Sequence, residues 1–300
     1  MSQTCPNLFI VGAAQSGTTT LADSLQQHPD VFIIPYKESY FFSSDVDYAR
    51  GMDWYLNTFF SEAAAGYRYR CDASTSYLYY AEKVAPRIKI DLPGQAIKFI
   101  AIFRNPIDRA YSHYWHDVNM GNREAPSFEE ALQKEGERPK TKQPTLNDLG
   151  RIGHAYFGGG LYARQLSAFW KYFHKDDFLL LLHEDLNRQE FPQTMQRVQT
   201  FLQVPLVTIQ YTHSNVASKP RSRSFERIVR SRSVVKELMK LAVPAFERRR
   251  LKAAFLRMNT AKYVYPPMKP STREMLKQKY APEIKEFEPM INRDLSAWLA

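Results

Sequence analysis

Cysteine is scarce in this 300-residue sequence, which holds only Cys5 and Cys71. Two thiols cannot build a disulfide framework or a metal cluster, so the simplest reading is a reducing compartment. No apolar run reaches the roughly 18 residues that a membrane-spanning helix requires. The first residues also lack the charged region followed by an apolar stretch that marks a signal peptide. These absences lead to the expectation of a soluble, cytoplasmic protein. Internal repeats are missing too, and the one compositional bias is an Arg/Ser-rich stretch around 221–233.

Charge of either sign is balanced over most of the chain. The net charge of +10 resides between Lys219 and Arg257, where 13 Lys or Arg face 3 Asp or Glu. Such a patch implies an anionic partner. Between 225 and 242, Phe225, Ile228, Val229, Val235, Leu238, Met239 and Ala242 recur at helical spacing with basic residues between them, the pattern of an amphipathic helix with a cationic face. We expect a basic helical insertion over about 219–257 within a single domain spanning 1–300. Its sharper readings are a track for an anionic polymer such as an acidic glycan, or contact with a membrane surface that leaves the protein cytoplasmic and peripheral. The Arg/Ser run lacks aromatic interleaving and any binding motif, which argues against nucleic acid.

The apolar runs define the fold class. "LFIVGA" (8–13), "VFIIP" (31–35), "AIKFIAIF" (96–103) and "DFLLLLHEDL" (177–186) read as short buried strands. Helical stretches alternate with them: one opens after Gly17 and runs to about His28, another starts at Pro106 and runs to about Met120. The alternation predicts an α/β, P-loop-like three-layer fold, a mainly parallel sheet flanked by helices. Residues 121–160 are rich in Gly, Pro and charge and read as a long mobile excursion. Ser271 and Glu274 have capping-box spacing and predict a helix start there.

The most informative absence is one lysine. In "VGAAQSGTTT" (11–20), Gly12 and Gly17 have the G-x-x-x-x-G spacing of a phosphate loop between strand and helix, yet Thr18 and Thr19 stand where a nucleoside triphosphatase carries its cation. A kinase or hydrolase reading is therefore disfavoured. A ligand with a single phosphate at this place needs less positive charge. Downstream, "FRNPIDRAYSHY" sets Arg104 at a strand end and Ser112 near the second turn of a helix, so both could reach one anion at the mouth of the sheet.

The two motifs together resemble the 5′-phosphosulfate and 3′-phosphate motifs of sulfotransferases that use 3′-phosphoadenosine 5′-phosphosulfate. "KESYFF" (37–42), "WYLNTFF" (54–60) and "DASTSYLYY" (72–80) are similar to segments of the bacterial and heparan-sulfate-type carbohydrate enzymes of that family. The resemblance implies sulfuryl transfer to a hydroxyl or amine of an acceptor glycan or small hydroxyl substrate, with no metal required. It implies donor contacts from Ala14, Gln15, Ser16, Gly17, Thr18, Thr19, Arg104 and Ser112, with Arg221 near the 3′ end. Glu38 is the implied base, and His113, His116 and His154 are its rivals.

The sequence also departs from the family pattern. Gln15 stands where the family has a Lys or Arg beside the leaving phosphate, with Lys37 as the nearest substitute. Ala73 and Thr75 replace Lys and Pro. These departures keep open a second reading, a catalytically impaired sulfotransferase fold that binds nucleotide or anionic glycan. Tyr36, Tyr40, Phe41, Trp54 and Tyr77 are candidates for sugar stacking. The expected donor site is a pair of anion pockets on one sheet edge, separated by the width of an adenosine.

Overall fold

The computed structural model describes residues 5–35, 38–119, 125–137, 153–212, 218–220, 260–262 and 264–300. Five parallel strands form one sheet in the order β2-β3-β1-β4-β5. They are β1 (Leu8–Gly12), β2 (Val31–Ile33), β3 (Tyr69–Asp72), β4 (Lys98–Phe103) and β5 (Phe178–Leu182). Alternate residues enter opposite layers, as the two-residue period of a strand requires. Phe9, Val11, Phe99, Ala101 and Phe103 pack into one core, whereas Leu8, Ile10, Ile100, Ile102 and Leu181 pack into the other. A sheet covered on both faces explains why its central strands read as continuous apolar runs.

Helix α1 (Thr18–Leu25) covers the second core. The stretch from β2 to β4 folds as α2 (Asp45–Tyr48), α3 (Gly51–Phe59), β3, α4 (Ser76–Tyr79) and α5 (Ala81–Asp91). Helix α6 (Pro106–Asn119) follows β4 and buries Ile107, Ala110 and Tyr114 in the first core. Neighbouring strands β1 and β4 thus send their chains to opposite faces of the sheet. That divergence opens a crevice beyond their C-terminal ends, the place where ligands bind in doubly wound folds.

Further along the chain come the helices α7 (Phe128–Glu137), α8 (Tyr162–Trp170) and α9 (Phe191–Leu202). A short antiparallel pair, β6 (Ser218–Pro220) with β7 (Thr260–Lys262), precedes the 22-residue helix α10 (Pro270–Ile291). The basic segment between β6 and β7, including the predicted helix over 225–242, lies outside the described residues. Among those residues, no helix is long and apolar enough to cross a membrane.

Three expectations need correction. β3 reads "YRCD", which has no apolar run to announce it, and becomes a strand because β1 and β2 pair on either side of it. Part of the excursion predicted over 121–160 is the helix α7, which docks through Phe128 and Ala131. Helix α10 begins at Pro270, not at a Ser271 capping box: the ring presets φ for the first turn, and the Lys269 side chain at the cap makes no capping hydrogen bond.

Candidate active site

The loop after β1 is shaped by two glycines. Gly17 caps α1 with φ +100, and a Cβ there would lie 2.9 Å from Leu186 Cδ1 and 3.2 Å from His183 Nδ1. A Cβ on Gly12 would meet Leu78 Cβ at 2.8 Å. Only glycine lets the backbone pass so close to its neighbours. The loop therefore ends on the N-terminus of α1, where Thr18 and Thr19 lie in the first turn and the helix dipole favours an anion. The Ser16 hydroxyl is fully buried beside the Tyr162 phenol but makes no hydrogen bond of normal geometry. A buried, unsatisfied donor in a glycine cradle at a helix N-terminus fits a phosphate or sulfate oxygen.

Arg104 projects from the end of β4 toward this loop. Its Nη1 donates to the Gln15 carbonyl at 3.2 Å, and Ser112 Oγ donates to Gln15 Oε1 at 3.3 Å. Gln15 itself holds φ +67. The arginine, the serine and the loop thus share one crevice, as the sequence predicts, but they adjoin instead of standing an adenosine apart. The Gln15 side chain is turned to Ser112, and Ala14 lines a small cavity beneath the loop with Thr75, Arg109 and His113.

Two residues that sequence reasoning missed hold this arrangement. Tyr162, at the start of α8, donates its hydroxyl to the Arg104 carbonyl at 2.9 Å, and burial raises its pKa to about 12, so it stays a donor. His183 follows β5 and closes over the loop, with Nδ1 donating to the Ser16 carbonyl at 3.1 Å. The outer edge of this ring is exposed, while its inner edge is covered by the loop. That burial, reinforced by the Arg104 charge, holds the imidazole below its ordinary range. The apolar stretch before "HED" signals the strand, but nothing local signals that its histidine meets residue 16.

Glu38 lies on the other side of β1, beyond the end of β2. Its carboxylate is half-buried and accepts from Thr75 Oγ1 at 2.8 Å and from the Tyr40 hydroxyl. Thr75, found where the resembled family has proline, supplies a hydroxyl that proline could not. Because the Thr75 carbonyl comes within 3.2 Å of a Cβ built on Gly12, Glu38 and the phosphate loop are one side chain apart. Lys37, Tyr36 and Arg221 lie outside the described residues.

Several other candidates resolve as structural. Phe41 and Tyr77 are fully buried: Phe41 stacks on Tyr55 with ring centroids 4.3 Å apart, and Tyr77 donates to Asp72. They are core, not sugar platforms. Trp54 is partly covered by Arg50, 4.0 Å from its ring. His113 is 3% exposed, with Nδ1 3.3 Å from Arg109 and Nε2 3.8 Å from Asp117, so both ring nitrogens lie beside buried side chains.

Comparison with known proteins agrees with this geometry. The family model described as "Sulfotransferase domain" matches residues 6–287. Over 222 residues, 72% of the chain, it is 31% identical to the bifunctional heparan sulfate N-deacetylase/N-sulfotransferase 1 of Mus musculus, and covers 24% of that protein. Over 209 residues it is 25% identical to the mouse heparan sulfate glucosamine 3-O-sulfotransferase 5, covering 56% of it. The chain therefore spans about a quarter of the first relative and just over half of the second. A crystal structure of a sulfotransferase from Alicyclobacillus acidocaldarius matches with a TM-score of 0.68 at 28% identity, over 99% of both chains. The family match runs through every strand of the sheet and both sides of the Gln15–Arg104 crevice, and this chain belongs to the sulfotransferase family.

Proposed function

We propose that this sulfotransferase takes its sulfuryl group from 3′-phosphoadenosine 5′-phosphosulfate and passes it to a hydroxyl or amine of a carbohydrate. The observation that carries the donor is the Arg104 contact with the Gln15 carbonyl at 3.2 Å, which brings an arginine fork beside the phosphate loop. Gly17, Thr18 and Thr19 would receive the 5′-phosphosulfate, with Ser16 as an added donor. Arg104 and Ser112 would receive the 3′-phosphate, exchanging Gln15 for it. The carbohydrate acceptor is supported by the names of the heparan sulfate relatives. A cytoplasmic location is part of the same proposal and rests on sequence composition.

Glu38 is the base in this reading. Hydrogen bonds from Thr75 and Tyr40 fix its carboxylate, so it can accept the proton of an acceptor hydroxyl or amine as the new S–O or S–N bond forms and the S–O bond to the donor phosphate breaks. The loop amides and the helix N-terminus stabilise the charge that grows on the departing phosphate. The competing reading is binding without turnover. It is favoured by Gln15, a neutral residue where the resembled family has a cation. Transfer of radiolabelled sulfate from the donor to a panel of desulfated and N-deacetylated glycans separates the two. Label in glycan is expected, whereas tight binding of adenosine 3′,5′-bisphosphate with no labelled product supports the competitor.

A further inference from the structure

We infer that Asp72 is a positioning residue that orients Glu38 through a shell of hydroxyl groups, an inference resting on Glu38 as the base. Asp72 ends β3, is fully buried, and among the described residues pairs with no cation. Its four contacts are all hydroxyls. Ser39 Oγ (2.5 Å), Tyr55 OH (2.7 Å) and Tyr77 OH (2.7 Å) donate to Oδ2, and Ser74 Oγ (2.6 Å) donates to Oδ1.

An ionised carboxylate can only accept, so it takes the hydrogen of every hydroxyl around it and turns their lone pairs outward. Those lone pairs receive four consecutive amides. Ser74 Oγ accepts from the amides of Ser39 (3.0 Å) and Tyr40 (3.1 Å). Ser39 Oγ accepts from Phe41 N (3.2 Å) and Tyr77 OH from Phe42 N (3.4 Å). The segment fixed in this way begins one residue after Glu38. The next residue along from Ser74 is Thr75, whose hydroxyl holds Glu38 Oε1. One buried charge therefore sets the hydrogen-bond polarity of the backbone that follows Glu38, and through Ser74 it anchors the residue next to Thr75.

Burial raises the pKa of Asp72, and the four donors oppose that shift. Burial also pushes the phenols of Tyr55 and Tyr77 well above their ordinary value, with the Asp72 charge adding to it, so both remain donors. An isolated buried carboxylate of this kind is poor stabilising material. Its place at the C-terminal end of an interior strand, beside the candidate base, is accounted for by orientation.

The test is Asp72→Asn in the full chain, which keeps the shape but replaces one acceptor by a donor. Two readouts are independent of each other. Hydrogen exchange should show Ser39–Phe42 protected in the wild type and rapidly exchanging in the variant, with β1 and β4 unchanged. On whichever glycan the wild type sulfates, kcat should fall about 10- to 100-fold, while the dissociation constant for adenosine 3′,5′-bisphosphate stays within about twofold. Unchanged exchange over 39–42, or donor affinity falling in step with kcat, overturns the inference. If the variant does not fold, Tyr77→Phe removes one hydroxyl and should release the Phe42 amide alone. Glu38→Gln separates the layers: full activity in that variant refutes Glu38 as the base, whatever Asp72 does to the loop.

Discussion

The two halves of the crevice are built by opposite means. On the donor side, polar groups keep part of their capacity: the Ser16 hydroxyl makes no hydrogen bond of normal geometry, and among the described residues the side chains of Arg104 and Ser112 hydrogen-bond only to the oxygens of Gln15. On the acceptor side almost everything is satisfied, with Ser39, Ser74, Thr75, Tyr40, Tyr55 and Tyr77 tied to Asp72 or Glu38. The donor half keeps groups ready for an arriving polyanion. The acceptor half fixes one carboxylate in advance. In the proposed assignment, pre-organisation lies where a proton moves and free capacity where charge arrives.

Substitutions on each side should break different steps. Glu38→Gln removes the base and should lower kcat by about 10²–10⁴-fold with donor affinity unchanged, read by steady-state transfer kinetics beside calorimetry. A parallel loss of both would mean the halves are not separable. Gln15→Lys puts a cation at the loop that, turned from Ser112 toward the leaving phosphate, should raise kcat roughly fivefold, since a charge-assisted hydrogen bond exceeds a neutral one by about 1 kcal/mol. Complete loss of activity in that folded variant would show that residue 15 does not face the leaving phosphate.

The smallest expected effect is the pH response of His183. Its folded pKa is depressed, first by burial of the inner edge and then by Arg104, so folding favours the neutral ring. Stability from this group is complete above the unfolded histidine value of about 6.5 and is lost as pH falls through the folded value. Melting temperatures measured between about pH 5 and 7 should therefore decline toward acid, and His183→Gln should flatten part of that slope. The partly exposed ring keeps the change modest. An unaltered slope would remove His183 from the loop's support.

The donor half was largely legible in the sequence. β1, β4 and β5 are apolar runs, Gly17 and Pro106 mark helix starts, and Arg104 and Ser112 have a spacing that one helix turns toward one crevice. The acceptor half was much less so. Its strand reads "YRCD", and its central carboxylate is recognised by side chains 17 and 33 residues away, at Tyr55 and Ser39. Such partners carry no periodic signature, because tertiary contact alone brings them together. Glu38 was found only through resemblance. His183 and Tyr162 were hidden for the same reason, each meeting the donor loop or Arg104 from elements far along the chain. The aromatic candidates misled because Phe and Tyr serve the core as readily as a sugar.

The central claim is that one ligand spans the phosphate loop and Arg104. Calorimetry should compare adenosine 3′,5′-bisphosphate with adenosine 5′-monophosphate on the wild type and on Arg104→Ala. The account predicts a strong wild-type preference for the bisphosphate that the variant loses by about 10- to 100-fold, with binding of the monophosphate nearly unchanged. Equal binding of the two nucleotides by the wild type, or equal weakening of both by the substitution, would contradict it.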